Sequence, residues 1–192
     1  MRSRATVDAL VEATARILVK EGFDKASTNR IAEVAGVSVG SLYQYFPGKD
    51  ALVAAVIDRH NQQIMQVVRR TVAEVAALPI KKAVRMLVAV AIEAHRIDPR
   101  LHRVIAEQIP RTGRLENMEA FNREAYALLS AYLENHRDEL RVVDLRMAAF
   151  VCVTSIEALT HTAVLHSPEM LSDEQVRTLV NETTRLVVGY LQ

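Results

Sequence analysis

The chain lacks tryptophan altogether and has one cysteine, five prolines, six glycines and nine aromatic residues among its 192 positions. A single cysteine, Cys152, cannot form an internal disulfide and excludes a cage of thiolate metal ligands. No run of about eighteen uncharged apolar residues occurs. The opening "MRSRATVDAL" also lacks the apolar core of a secretion signal, so a soluble cytoplasmic protein with no membrane partner is expected. Catalytic strings are missing too: there is no GxSxG, GxGxxG, P-loop or HExxH, and the glycines are scattered. Cys152 sits among apolar residues, which favours inert burial over nucleophilic work. The expectation is therefore no enzyme, no metal and no cofactor. A net charge of +1 gives no basic excess of the kind that usually marks nucleic-acid binding.

Helical periodicity fills the space left by these absences, and strict alternation nowhere runs long enough for a sheet. Val7, Leu10, Val11, Thr14, Ile17 and Leu18 form one stripe ending at Gly22. Ser27 or Thr28 can cap a second helix, "NRIAEVA", that ends at Gly36. Ser38 can cap a third, running to Tyr45 or Phe46, where Pro47 and Gly48 break it. A long fourth helix spans about Lys49 to Ala77. Leu78–Pro79 restarts the chain with proline in a first turn, and Asp98–Pro99 opens a short helix ending near Pro110. Another follows Gly113, Asp144 caps the next, and Ser172 with Gln175 offers a capping box for the last. The expected fold is all-α with about nine helices. A boundary between two domains, 1–50 and 51–192, is expected at the start of the long fourth helix.

Three of the nine aromatics crowd into "VSVGSLYQYFPGK" at 37–49, beside small and polar neighbours. The helices flanking "AGVS" form a helix-turn-helix, whose second helix enters a DNA major groove. Val39, Gly40 and Ser41 let that helix approach base edges closely. Gln44 can bond an adenine and Val39 can touch a thymine methyl. Leu42 and Phe46 fall on the core side, and Tyr45 is intermediate. Tyr43, turned outward, can donate to a phosphate, and Lys49 adds a positive charge at a helix N-terminus. The bland alternative is a tight helical corner in an all-α domain.

The whole string "STNRIAEVAGVSVGSLYQYFPGKDAL" resembles the DNA-binding signature of the tetracycline-repressor (TetR) family of bacterial transcriptional regulators. With the lead-in "ATARILVKEGFDKAS", the resemblance covers roughly residues 5 to 56. It implies phosphate contacts at Thr28 and Tyr43, a backbone-binding lysine at Lys49, and groove-facing roles for Val39, Gly40, Ser41 and Gln44. Ser27, Asn29, Ser38 and Tyr45 complete the candidate DNA-binding set. Gly48 stands where the family often has serine or asparagine. A palindromic operator on double-stranded DNA, a homodimer and a small-molecule effector are also implied, with residues 1–50 as the DNA-binding domain and 51–192 as the ligand-binding and dimerisation domain. Most members repress, so a repressor released by its effector is expected. An activator or dual regulator is the alternative, and a helical adaptor without DNA binding a more distant one.

Residues 1–50 carry seven Lys/Arg against six Asp/Glu, so DNA binding must rest on few phosphate contacts, hydroxyls and backbone donors. Beyond residue 50 the charges balance, and the effector is expected to be mostly apolar. Candidate pocket residues are Met65, Val68, Ile92, His95, Phe121, Asn122, Tyr126, Glu157 and His161. Polar groups in apolar stretches are the more telling ones, because unpaired burial is costly. Glu157 and His161, four apart on one helix, can satisfy one another or face the pocket. That helix, "RMAAFVCVTSIEALTHTAVLH", is apolar all round and requires cover on every side, from a second subunit as well as its own core. Thr154, Ala158, Val187 and Tyr190 are the candidate dimer-interface residues.

Overall fold

The computed structural model describes residues 2–109, 115–166 and 172–192. Nine α-helices and no strand occur among them: α1 (Arg2–Glu21), α2 (Thr28–Ala35), α3 (Val39–Tyr43), α4 (Lys49–Val75), α5 (Ile80–His95), α6 (Pro99–Glu107), α7 (Leu115–Asn135), α8 (Leu145–His166) and α9 (Asp173–Leu191). The expected punctuation at Pro110 and Gly113 lies outside the described residues.

Two compact units are present. One comprises Met1–Gln62 with Arg100–Glu119, the other Gln63–Pro99 with Ala120–Gln192. The first unit therefore reaches past residue 50, and hydrophobic burial gives the reason. Leu52, Val53, Val56 and Ile57 of α4 and Leu101, Val104 and Ile105 of α6 bury their side chains in the same core as α1, α2 and α3. The α1 stripe of Leu10, Val11, Thr14, Ile17 and Leu18 is buried, and the Thr14 hydroxyl is satisfied by the Leu10 carbonyl at 2.7 Å.

Helix α1 stops at Gly22, whose φ of +85° only glycine adopts at low cost. Its N–H donates to the carbonyls of Ile17 and Leu18. Ser27 caps α2, its Oγ accepting the Arg30 N–H at 3.3 Å. Gly36 ends that helix at φ +69°, and Ser38 caps α3 by accepting the Ser41 N–H at 3.1 Å. Regular α3 ends at Tyr43, two to three residues early, because Tyr45 and Phe46 both turn their N–H groups to the Leu42 carbonyl.

In the second unit α5 packs against α8 and α9. Ala148, Ala149, Cys152 and Ala163 on the buried side of α8 are small enough for close helix approach. Pro79 occupies the N-cap position of α5 rather than its first turn, and it has no side-chain oxygen to cap with. Glu139, from a short 3-10 turn (Arg137–Glu139), supplies the missing acceptor to the Ile80 N–H at 3.3 Å. Asp144 caps α8 through the N–H groups of Arg146 and Met147. By length and composition α8 could cross a bilayer, with a mean hydropathy of 1.5 over Leu145–Leu165. Glu157 interrupts that run, and Ala148, Ala149 and Cys152 belong to the unit's own core.

The two left-handed glycines differ in their surroundings. A Cβ on Gly22 would lie 3.0 Å from the Gln108 side-chain oxygen, whereas one on Gly36 would meet nothing within 4 Å. Gly36→Ala should cost about 1–2 kcal/mol from backbone strain alone. Gly22→Ala should cost more, because Gln108 must also move. Urea unfolding of the two variants checks the order.

Candidate nucleic-acid interface and apolar cavity

The reading surface of α3 follows from one anchored residue. Leu42 is fully buried, which fixes the helical phase and turns Gly40, Tyr43 and Gln44 to solvent. Tyr43 is 53% exposed, and its hydroxyl lies 3.2 Å from the Thr28 Oγ1 at the start of α2. Two hydroxyls are thus paired at one point, where both can turn to a single phosphate. Asn29 is exposed beside Thr28, and Tyr45 is exposed past the end of α3. Val39 and Ser41 are half-buried, and Val39 packs partly on the core. Ser27 and Ser38 are engaged as helix caps.

Lys49, expected to add a positive charge at a helix N-terminus, opens α4 and is also tied to Phe23. Its Nζ donates to the Phe23 carbonyl at 2.6 Å and sits 3.7 Å from the centre of the Phe23 ring. The Phe23 N–H donates to the Gln108 Oε1 at 3.1 Å. Phe23 therefore ties α4 and α6 to the turn that follows α1. Sequence reasoning missed this junction, since Gln108 is 85 residues away and only the glycine before Phe23 hinted at a constrained turn.

Other cations of the module are also spent on intramolecular pairs. Arg30 bridges Glu21 and Glu33, while Arg16 and Arg59 both meet Glu12. The hydrogen bond from Arg30 holds the Glu21 carboxyl below its usual range. These pairs explain in part how a near-neutral module remains compatible with a surface of hydroxyl and amide donors.

The second unit contains a cavity of about 100 Å³ between α4, α5, α7, α8 and α9. Met65, Val68, His95, Phe121 and Glu157 line it, as expected. The remaining four candidates are elsewhere. Ile92 is buried in the unit's core and does not line the wall. The Tyr126 ring lies tilted against Phe150, with centroids 5.8 Å apart, and its hydroxyl reaches that of Thr154 at 3.4 Å. Asn122 is absent from the wall, and its Oδ1 is buried without a partner. His161 lies edge-on to His95, with ring centroids 6.4 Å apart, and does not line the cavity. Val72, Val84, Leu87, Ala91, Cys152 and Val187 complete much of the wall.

That last residue corrects the expected dimer face. Val187 is 2% exposed and points into its own protomer, while its neighbour Leu186 is 52% exposed. On α8, Met147, Phe150, Thr154 and Ala158 form an exposed stripe, and Phe150 is 49% exposed. Leu159 joins Leu179 and Leu186 along a shallow groove between α8 and α9. Tyr190 is half-buried.

Lys49→Ala should lower the unfolding free energy by about 1–2 kcal/mol, from one charge-assisted hydrogen bond and one cation–π contact. Tyr43→Phe should change it by less than ~0.5 kcal/mol, as is usual for an exposed polar group. Chemical denaturation of both variants makes the comparison.

Comparison with known proteins agrees with this geometry. Residues 10–56 match the family described as bacterial regulatory proteins, tetR family, and residues 79–191 match the tetracyclin repressor-like C-terminal domain. The nucleoid occlusion factor SlmA of Haemophilus ducreyi is 29% identical over 86 residues, 45% of this chain and 42% of that protein. The transcriptional repressor DrrR1 of Streptomyces coeruleorubidus is 41% identical over 54 residues, 28% of this chain and 20% of that one. The chain thus spans less than half the length of these curated relatives. The fatty acid degradation regulator FadR from Bacillus halodurans shares the fold, with a TM-score of 0.75 at 19% identity over 97% of this chain and 96% of that one. With the second family match alone covering more than half its length, the chain belongs to the TetR family of bacterial transcriptional regulators.

Proposed function

We propose that the protein is an effector-controlled repressor that binds a palindromic operator as a homodimer in the cytoplasm. The observation that carries this reading is the pairing of an outward α3 surface in one unit with an apolar cavity in the other. Repression is supported by the likeness to DrrR1, a named repressor. Tyr43 and Thr28 hold phosphate through their paired hydroxyls, and Gln44 reads a base edge beside the small residues Gly40 and Ser41. Lys49 acts first as the tie to Phe23, and its ammonium has further hydrogens that can reach a phosphate.

Two-fold assembly follows from the exposed stripe. An apolar face of Met147, Phe150, Thr154 and Ala158, with Leu186 beside it, is stabilised when a second copy covers it. The two α3 helices then read half-sites about one DNA turn apart, or a multiple of it. Effector entry into the cavity lowers operator affinity and releases the gene.

Selection of binding sites from random DNA should return a palindrome. Gln44→Ala should change the preferred bases, whereas Tyr43→Phe should weaken binding to all sequences alike. An unchanged preference in Gln44→Ala removes its reading role. Ala158→Glu and Leu186→Glu should yield monomers by sedimentation and bind DNA at least tenfold more weakly, since half the phosphate contacts are lost. Intact dimers in both would remove this face from the interface. A reporter fused to the regulated promoter should rise when the gene is deleted; a fall would make the protein an activator.

A further inference from the structure

Charge inside the cavity narrows the class of effector, on the reading that the cavity is the effector site. Its wall is almost wholly aliphatic, with Phe121 as the one aromatic carbocycle, and no Lys or Arg lines it. Helices α4, α7 and α9 bring no titratable side chain to the wall; α5 brings His95, and α8 brings Cys152 and Glu157. The His95 Nδ1–H donates to the Ala91 carbonyl at 2.7 Å, and burial pushes the imidazole below its ordinary value, so the ring is neutral at pH 7. Burial pushes the Cys152 thiol up to about 12, and it too is neutral. The Glu157 carboxyl has neither a hydrogen bond nor an ion pair with any described residue, and burial alone raises its value. The cavity therefore contains one acid, no compensating cation and no ring of aromatics.

We propose that the effector is a small aliphatic amine, with Glu157 as the counter-ion of its ammonium group. An anionic ligand would find no cation here and would face a second carboxyl. An uncharged alcohol can bond the acid, but it gains only a neutral hydrogen bond. An ammonium gains a charge-assisted bond about twice as strong, set against the cost of desolvating both charges. With a single aromatic ring in the wall, an aromatic cage for the cation is absent, so the carboxylate must hold it. The volume of about 100 Å³ suits a chain of roughly four carbons, since an engineered apolar cavity of about 150 Å³ holds the six carbons of benzene.

The proton balance is explicit. In the empty cavity Glu157 is shifted toward its protonated form, and the arriving ammonium shifts it back. Between those two values binding expels one proton from Glu157 to solvent, and amine affinity rises with pH.

Isothermal titration of the full chain with butylamine, butan-1-ol and butanoate at pH 7 tests the proposal. The amine should bind at least about fivefold more tightly than the alcohol, the ratio expected of a charge-assisted over a neutral bond. Butanoate should show no binding. Repeating the amine titration from pH 5 to pH 7 should show an affinity that rises with pH. Glu157→Gln should bring amine and alcohol within about twofold of each other and remove the rise of amine affinity with pH. Butanoate binding as tightly as butylamine, or an amine preference that survives in Glu157→Gln, overturns the amine assignment. The cavity reading has its own control in Ala91→Phe and Ala125→Phe, which fill the space from two different helices. Either variant should lose amine and alcohol binding together. Undiminished binding in both places the ligands elsewhere, and absence of any binding to the wild type also refutes the proposal.

Discussion

The outward surface of α3 depends on the turn at Gly22–Phe23. Its left-handed glycine ends α1, and the next residue gives its N–H to Gln108 and its carbonyl to Lys49. Both polar groups of one peptide-bearing residue are thereby satisfied by side chains from α6 and α4. The Lys49 ammonium over the Phe23 ring adds a contact that neither a shorter nor a neutral side chain reproduces. Through this junction α2 and α3 receive a fixed starting point, and Leu42 sets their rotation. Tyr43 and Gln44 face outward as a consequence.

Charge is handled alike in the two units, by keeping it local. In the first, Arg30 spans two carboxylates and Arg16 and Arg59 share a third, so little bulk positive field remains. Such exposed pairs contribute little stability individually. In the second unit a single unpaired carboxyl stands in an aliphatic wall. One uncompensated group in an apolar setting discriminates among ligands by charge more sharply than many solvated ones.

Local sequence patterns revealed much of this fold. The α1 stripe, the Ser27 and Ser38 caps and the glycine stops at 22 and 36 each depend on residues within a turn or two, so spacing alone exposes them. The Glu139 cap on α5 and the Gln108 bond to Phe23 link residues far apart in the chain, and no local pattern encodes them. Helical phase was the other limit. Leu186 and Val187 are both apolar and only about 100° apart on the helix, so identity could not say which faces outward. The same ambiguity placed Ile92, Asn122, Tyr126 and His161 in a cavity wall that they do not line. Glu157 was recognisable because a carboxyl in so apolar a helix stands out in any phase.

Sequence-specific DNA recognition by the α2–α3 surface is the claim on which the functional reading turns. Fluorescence anisotropy of the full chain against overlapping duplexes tiled across the DNA around its own coding sequence, at physiological salt, measures it directly. One or a few duplexes should bind on the order of a thousandfold more tightly than the rest, the lower end of the usual specific-to-non-specific ratio. Equal affinity for every duplex, or no binding to any, would contradict it.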